Sequence, residues 1–123
     1  MIVRRVPLTD EIKQGLAPSL ATSDWDWPEI ERWLADGVAA VWQIGVDAWG
    51  ITAANSDDEI DIIVAGGRGA NRAARPFLQA METLPVHRGL TLRLEGRRGW
   101  KRFCAGWDCE EVGGGDVILT KRL

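Results

Sequence analysis

The sequence predicts a single α/β (α+β) domain over residues 1–123, built on a central mixed sheet of about seven strands, and three observations carry that prediction. Apolar residues alternate with period two from Ala39 to Ala54 and again over Leu90-Thr-Leu-Arg-Leu94, the spacing of half-buried strands. They recur at helical spacing over Ala70, Ala73, Ala74, Phe77, Leu78, Met81 and Leu84. Between these patterns the apolar run Glu59 to Val64 breaks at Gly66 and Gly67, so that a strand feeds a helix through a tight glycine loop.

In chain order, Ile2 to Val6 reads as a short first strand closed by Pro7. Thr9 or Asp10 caps a helix carrying Ile12, Leu16 and Leu20, which Gly15 and Pro18 should shorten or break. Asp26-Trp-Pro-Glu29 is a firmer helix start, with a capping carboxylate, proline in the first turn and a glutamate that reaches back. Ile30, Trp33 and Leu34 form the apolar stripe of that helix, and Gly37 ends it. Two strands follow, joined by a turn at Gly45-Val-Asp47, and the polar link Asn55-Ser-Asp-Asp58 leads into the central strand. After the helix ending near Leu84, a loop holds Pro85 and Gly89. The strand at Leu90–Leu94, reached through a helical crossover, should lie parallel to the central one. Gly99 to Ala105 fits one or two helical turns, and Trp107 to Val112 with Val117 to Leu119 form a terminal hairpin around Gly113-Gly-Gly-Asp116. The whole reads β-α-α-β-β-β-α-β-α-β-β.

A hydrophobic content of 46% in 123 residues is enough for a real core. A net charge of -3 and a pI near 5.1 argue against a general nucleic-acid or membrane-surface binder. No stretch reaches the roughly 18 apolar residues of a membrane span, and Met1 to Pro7 has no long apolar run behind its charges, so the expected location is the cytoplasm. Cys104 and Cys109, with one histidine in the chain, do not make a zinc site; no metal is expected, and both read as small apolar residues. Seven tryptophans and no tyrosine mean that most indoles should pack in the core or its rim, and any left exposed would suggest a homo-oligomer or a protein partner.

Three groups of residues carry candidate chemistry. The glycine loop leaves the first N–H groups of the following helix aimed at whatever lies before them, an arrangement that favours an anion, usually phosphate; the alternative is a turn needing glycine only for its φ angle. Glu59 and Asp61 flank Ile60 and so point to one face of the central strand. In a cleft, that pairing raises the pKa of one carboxyl and makes a base; at a solvated edge it does nothing. Arg88, Arg93, Arg97, Arg98, Lys101 and Arg102, interleaved with Trp100, form a local basic stretch. Its partner is either an acidic or phosphate-bearing molecule or the chain's own acidic first half, with Asp24, Asp26, Glu29, Glu31 and Asp36. His87 has no serine or cysteine context for a catalytic triad.

The order of elements resembles the GNAT superfamily of acetyl-coenzyme A-dependent N-acetyltransferases across nearly the whole chain. The run Arg68-Gly-Ala-Asn71-Arg-Ala73 is similar to the family's loop of Arg or Gln, two variable residues, Gly, one variable residue, then Gly or Ala. Arg68 and Ala73 fit, and Asn71 stands for the glycine, as a residue that tolerates positive φ. Gly106-Trp107 looks like the family's Gly-Phe pair. The resemblance implies a GNAT-like three-layer fold and acetyl-CoA as substrate, with an amine of a small molecule or protein as acceptor. It implies cofactor binding by Val64, Ala65, Arg68, Gly69, Ala70, Asn71, Arg72 and Ala73, with the N–H groups of Gly69 to Ala73 on the pyrophosphate, Arg68, Arg72 and Arg75 near the phosphates, and the pantetheine arm on main chain of two strands splayed near Val64-Ala65 and Leu90–Leu94. It also implies a base at Glu59 or Asp61. In many members a tyrosine about five residues before the aromatic of that pair protonates the departing thiolate; Arg102 occupies that position. Arg98-Gly-Trp-Lys-Arg also looks similar to GNAT-like proteins of tailed phages, which implies the alternative of an inactive interaction or structural module, in a virion or in host cytoplasm.

Overall fold

A computed structural model describes residues 2–123, and the side chain of Asn71 lies outside what it describes. One sheet runs in the order β1 (Val3–Arg5), β2 (Ala39–Ile44), β3 (Ala48–Ser56), β4 (Glu59–Gly67), β5 (Thr91–Arg97), β7 (Asp116–Arg122), β6 (Asp108–Gly113). All neighbours are antiparallel except β4 and β5, which pair parallel as the helical crossover between them requires. Helices α1 (Asp10–Ala21) and α2 (Trp27–Ala35) cover one face, packing Ile12, Leu16, Leu20 and Ile30 on Val41, Trp49, Ile51 and Val64. Helix α3 (Ala70–Thr83) covers the other, with Phe77, Leu78 and Met81 on Trp42, Ile62, Leu92, Leu94, Val117 and Leu119. The architecture is thus α+β in three layers. No helix among the described residues is long and apolar enough to cross a membrane.

The caps explain the helix limits. Thr9 Oγ1 accepts from the Ile12 N–H at 3.3 Å, and the Asp26 carboxylate accepts from the Glu29 N–H at 2.9 Å, each satisfying an otherwise unpaired donor. At the end of α2 the Val38 N–H reaches the Trp33 carbonyl and the Gly37 N–H that of Leu34, a closure that needs the left-handed φ of +77° at Gly37. Helix α1 runs through Gly15 and Pro18 unbroken, against the sequence expectation. Gly15 is there to admit Trp49, whose Cζ3 would lie 2.5 Å from an added Cβ, and Pro18 falls on the exposed side, where the missing bond faces water. Other boundaries also shift. Pro85–His87 is a short 3-10 helix rather than a loop, β5 runs on to Arg97, Trp107 precedes β6 rather than starting it, and the turns before Cys104 are 3-10, Arg98–Phe103.

The largest departure is in β4. It does not stop at Val64 but continues through both glycines to Gly67, so the connecting turn is only Arg68-Gly69. Glycine is required there by close approach: a Cβ on Gly66 would meet the Gly15 carbonyl and Ser19 Oγ, both at 3.2 Å, and one on Gly67, at φ +98°, would lie 2.4 Å from the Asp47 carbonyl. Upstream, Val64 pairs with Ile51 but Ile62 with Thr52, which leaves Ile63 as an extra residue. This β-bulge changes the facing of the strand: Ile60 and Ile62 pack under α3, whereas Ile63 and Val64 pack under α1 and α2.

These contacts predict unequal costs at neighbouring glycines. Gly67→Ala should lose about 3 kcal/mol in urea denaturation, from clash plus left-handed strain, whereas Gly69→Ala, at φ +74° with open space around it, should lose only about 1 kcal/mol.

Candidate active site

Parallel pairing of β4 with β5 begins at Glu59 with Thr91 and ends at Ile62 with Leu94, although β4 continues to Gly67 and β5 to Arg97. The strands part where the Ile63 bulge twists β4 aside, so on β5 the opening lies past Leu94 and not within Leu90–Leu94, whose residues from Thr91 on are paired with β4. Ser19 Oγ on α1 donates to the Ala65 carbonyl at 2.7 Å and so ties the free end of β4 to that helix. On the β5 side Trp100 lies close over Gly96, where an added Cβ would be 3.0 Å from Cδ1. Two hollows open from the resulting wedge. One is a groove of about 1140 Å³ between α1, the Gly66–Ala70 segment, Phe77 and the Arg97–Phe103 segment. The other, of about 240 Å³, lies between the α1–α2 connection and residues 61–65 and 93–97. Ser19, Ala65, Arg97 and Trp100 border both, so the hollows meet at the wedge.

The larger groove is lined by the amide-rich turn. Gly69 takes the left-handed conformation and caps α3, whose first bonds run from the Arg72 and Ala73 N–H groups back to the Gly69 carbonyl at 3.1 and 3.2 Å. Of the donors expected from Gly69 to Ala73, those two are turned inward, while the N–H groups of Gly69 and Ala70 have no backbone acceptor among the described residues. Positive φ belongs to Gly69, not to Asn71, which by its backbone lies in the first turn of α3; its side chain is outside the described residues. Ala73 is buried, its small side chain letting α3 sit close to the sheet.

Arg68 and Arg72 are exposed and line the groove, and Arg97 and Arg102 line it from the far wall. Arg75 is not free for a phosphate: its guanidinium donates to the Arg102 carbonyl at 3.2 Å and fastens the 3-10 segment to α3. Four guanidiniums thus face this groove against only Glu11 and Asp47. The far-wall pair was legible as a charge run but not as groove lining. Parallel strands end at the same sheet edge, so the segments after β4 and β5 must be neighbours, and that inference would have found Arg97 and Arg102.

The smaller hollow has the opposite sign. Asp24, Asp61, Glu95 and Asp116 line it, with Arg93 and Arg97 as its cations. Arg93 donates to Glu95 at 3.0 Å and stands 3.7 Å from Asp61, an ion-pair distance too long for a hydrogen bond. Asp61 is only 8% exposed, and its Oδ1 has no hydrogen-bond partner. Burial pushes its carboxyl above the ordinary aspartate range; Arg93 opposes this, and the nearby charges of Glu59 and Glu95 add to it.

Neither a family model nor a curated protein matches this sequence. Solved structures do match. A Bacillus subtilis acetyltransferase in complex with CoA superposes with a TM-score of 0.65 over 98% of this chain and 97% of its own, at 9% identity. A GNAT family acetyltransferase from Elizabethkingia anophelis with acetyl-CoA bound superposes with a TM-score of 0.59 over 99% of this chain and 97% of its own, also at 9% identity. The fold is GNAT-like.

Within this GNAT-like fold the remaining candidates separate. Val64 is buried under α1 and borders the smaller hollow, and Ala65 borders both hollows with one lone pair of its carbonyl used by Ser19. Glu59 lines neither hollow, and its carboxylate accepts from the Asn55 side chain in the β3–β4 hairpin. His87 is buried, its Nδ1 2.7 Å from the Met81 carbonyl, to which it donates; it secures the end of α3. Cys104 is buried in the core, where loss of hydration pushes its thiol up to about 11. Arg102 holds its guanidinium 4.8 Å from the Phe103 ring, at the groove wall.

The Asp61 shift sets a pH dependence. A native-state pKa above that of the unfolded chain means the folded protein binds the proton more tightly, so stability falls as pH rises from the unfolded value through the folded one. Urea midpoints for the native chain should therefore decline over that window, and those for Asp61→Asn should decline less.

Proposed function

We propose that this protein is an acetyl-CoA-dependent N-acyltransferase that transfers an acyl group to an amine in the cytoplasm. The observation that carries the reading is the parted β4–β5 wedge, which joins a basic groove to an acidic hollow at a junction bordered by Ser19, Ala65, Arg97 and Trp100. Arg68, Arg72, Arg97 and Arg102, with the N–H groups of Gly69 and Ala70, suit a diphosphate and its neighbouring phosphate. Main chain between Ile63 and Gly67, unpaired toward β5, suits the amide groups of a pantetheine arm. The thioester then lies at the wedge, within reach of an amine in the smaller hollow.

Asp61 is the base of this scheme. It takes a proton from the bound ammonium, and the free amine nitrogen attacks the thioester carbonyl carbon. The C–N bond forms as the C–S bond breaks, the second nitrogen proton passes to water, and the thiolate takes a proton from water. A raised pKa brings Asp61 closer to the working pH and so improves it as a proton acceptor. Thiolate departure has no tyrosine to assist it, and Arg102, placed at the phosphates and unable to give up its proton near neutrality, does not take that role. The same missing tyrosine favours a second reading, a GNAT-like module that binds a CoA derivative without turnover and serves as an interaction scaffold.

Titration calorimetry with acetyl-CoA should give micromolar affinity, weakened at least about tenfold in the Arg68→Glu, Arg72→Glu double variant, both sites being exposed. Absence of heat from the native, folded chain would overturn both readings. In a thiol-release assay with a panel of amines, Asp61→Ala should lower turnover by about 10²-fold or more while acetyl-CoA affinity holds. Binding without thiol release from the native chain would leave the scaffold reading.

A further inference from the structure

The smaller hollow says what kind of amine this site takes, on the assumption of the acyl-transfer reading. At about 240 Å³ it is below the ~300–1,000 Å³ typical of pockets for drug-sized ligands, so it suits a short chain and not a ring system or a peptide. Its charge is lopsided: four carboxylates line it against two cations, Arg93, already engaged by Glu95 and Asp61, and Arg97, which the hollow shares with the larger groove. Asp24 and Asp116 have no ion-pair partner among the described residues. Asp61 Oδ1 is buried without a hydrogen-bond partner, 3.7 Å from the Arg93 guanidinium, so the carboxylate that borders the hollow is only partly satisfied by protein.

At the rim, Asp24 adjoins Trp25, one of the few large apolar side chains left exposed. Trp25 is not loose: its ring stands edge-on to Trp33 at 5.1 Å between centroids, which holds the indole in place beside the hollow. An aromatic ring next to an unpaired carboxylate is a good seat for an ammonium ion. The hollow therefore offers one anionic position inside, on β4, and a second at the mouth, on the α1–α2 connection.

We infer that the acceptor is a short aliphatic diamine, bound with its reacting nitrogen at Asp61 and its distal ammonium against Asp24 and Trp25. A monoamine of the same length leaves the outer seat empty, and a lysine side chain on a protein surface brings a backbone that the small hollow does not admit.

The experiment is titration of the protein, without acyl donor, with 1,4-diaminobutane, n-butylamine and a short lysine-containing peptide, followed by calorimetry and tryptophan fluorescence. The diamine is expected to bind at least about tenfold more tightly than butylamine. Asp24→Asn and Trp25→Ala should each erase most of that advantage, with butylamine affinity and acetyl-CoA affinity unchanged. Equal affinity for the diamine and butylamine, no binding of either, tighter binding of the peptide, or a diamine preference that survives both variants would each overturn the inference. Thiol release keeps the two levels apart: diamine binding with no thiol released from acetyl-CoA contradicts the acyl-transfer reading, whereas thiol release with butylamine or peptide but not with the diamine contradicts only the choice of acceptor.

Discussion

The parting of β4 from β5 is the constraint on which the rest of the site depends. A parallel pair would ordinarily continue bonding to the end of the shorter strand, and here it stops at Ile62 and Leu94. The Ile63 bulge adds twist at that point, and the Ser19 hydroxyl takes up the carbonyl of Ala65 that the altered backbone presents to α1. Close packing on the glycines of β4 holds the displaced end: a side chain at Gly66 would push α1 away, and one at Gly67 would collide with Asp47, Ala48 and Trp49. Backbone polar groups that a closed sheet would consume are thereby left at the wall of a groove, where they need a partner.

Charge then distinguishes the two sides of the wedge. The chain is acidic overall, and net charge gives no hint of a groove edged by four guanidiniums. Segregation is achieved by topology: the segment after β4 and the one after β5 deliver Arg68, Arg72 and Arg102 to the groove, while β4, the α1–α2 connection and the start of β7 deliver Asp61, Asp24 and Asp116 to the other hollow. Arg97, at the end of β5, borders both. Under the acyl-transfer reading proposed above, an anionic donor and a cationic acceptor are in this way held apart until their reactive ends meet. All four guanidiniums are exposed, so their pull on an anion weakens as salt is added.

Much of the fold was legible because hydrophobic period and punctuation agree along most of the chain. The Asp26 cap, the Gly37 stop, the Gly45–Asp47 turn and the strand-to-helix switch after β4 all follow from local chemistry. What was not legible depended on tertiary contacts. Gly15 looks like a helix breaker until Trp49 is seen against it, and Gly66 and Gly67 look like a loop until α1 and Asp47 are seen to need their space. The inversion of β6 and β7 in the sheet had a readable cause: Val117 and Leu119 in β7 are buried, whereas Asp108 to Gly113 in β6 is exposed throughout and suits only an edge. In the site, Glu59 and Asp61 were a pair in sequence, and only burial and the Asn55 contact separate them.

Amide hydrogen exchange along β4 and the start of α3, with and without acetyl-CoA, tests the central claim most directly, because it reports on the main-chain donors the parted strand leaves open. Binding should slow exchange at the Ile63–Gly67 amides that do not bond to β3 and at Gly69 and Ala70, while the β3-bonded amides and those from Glu59 to Ile62, already engaged in the sheet, stay unchanged. Uniform protection from Glu59 to Gly67 in the free protein, with no change on adding acetyl-CoA, would contradict it.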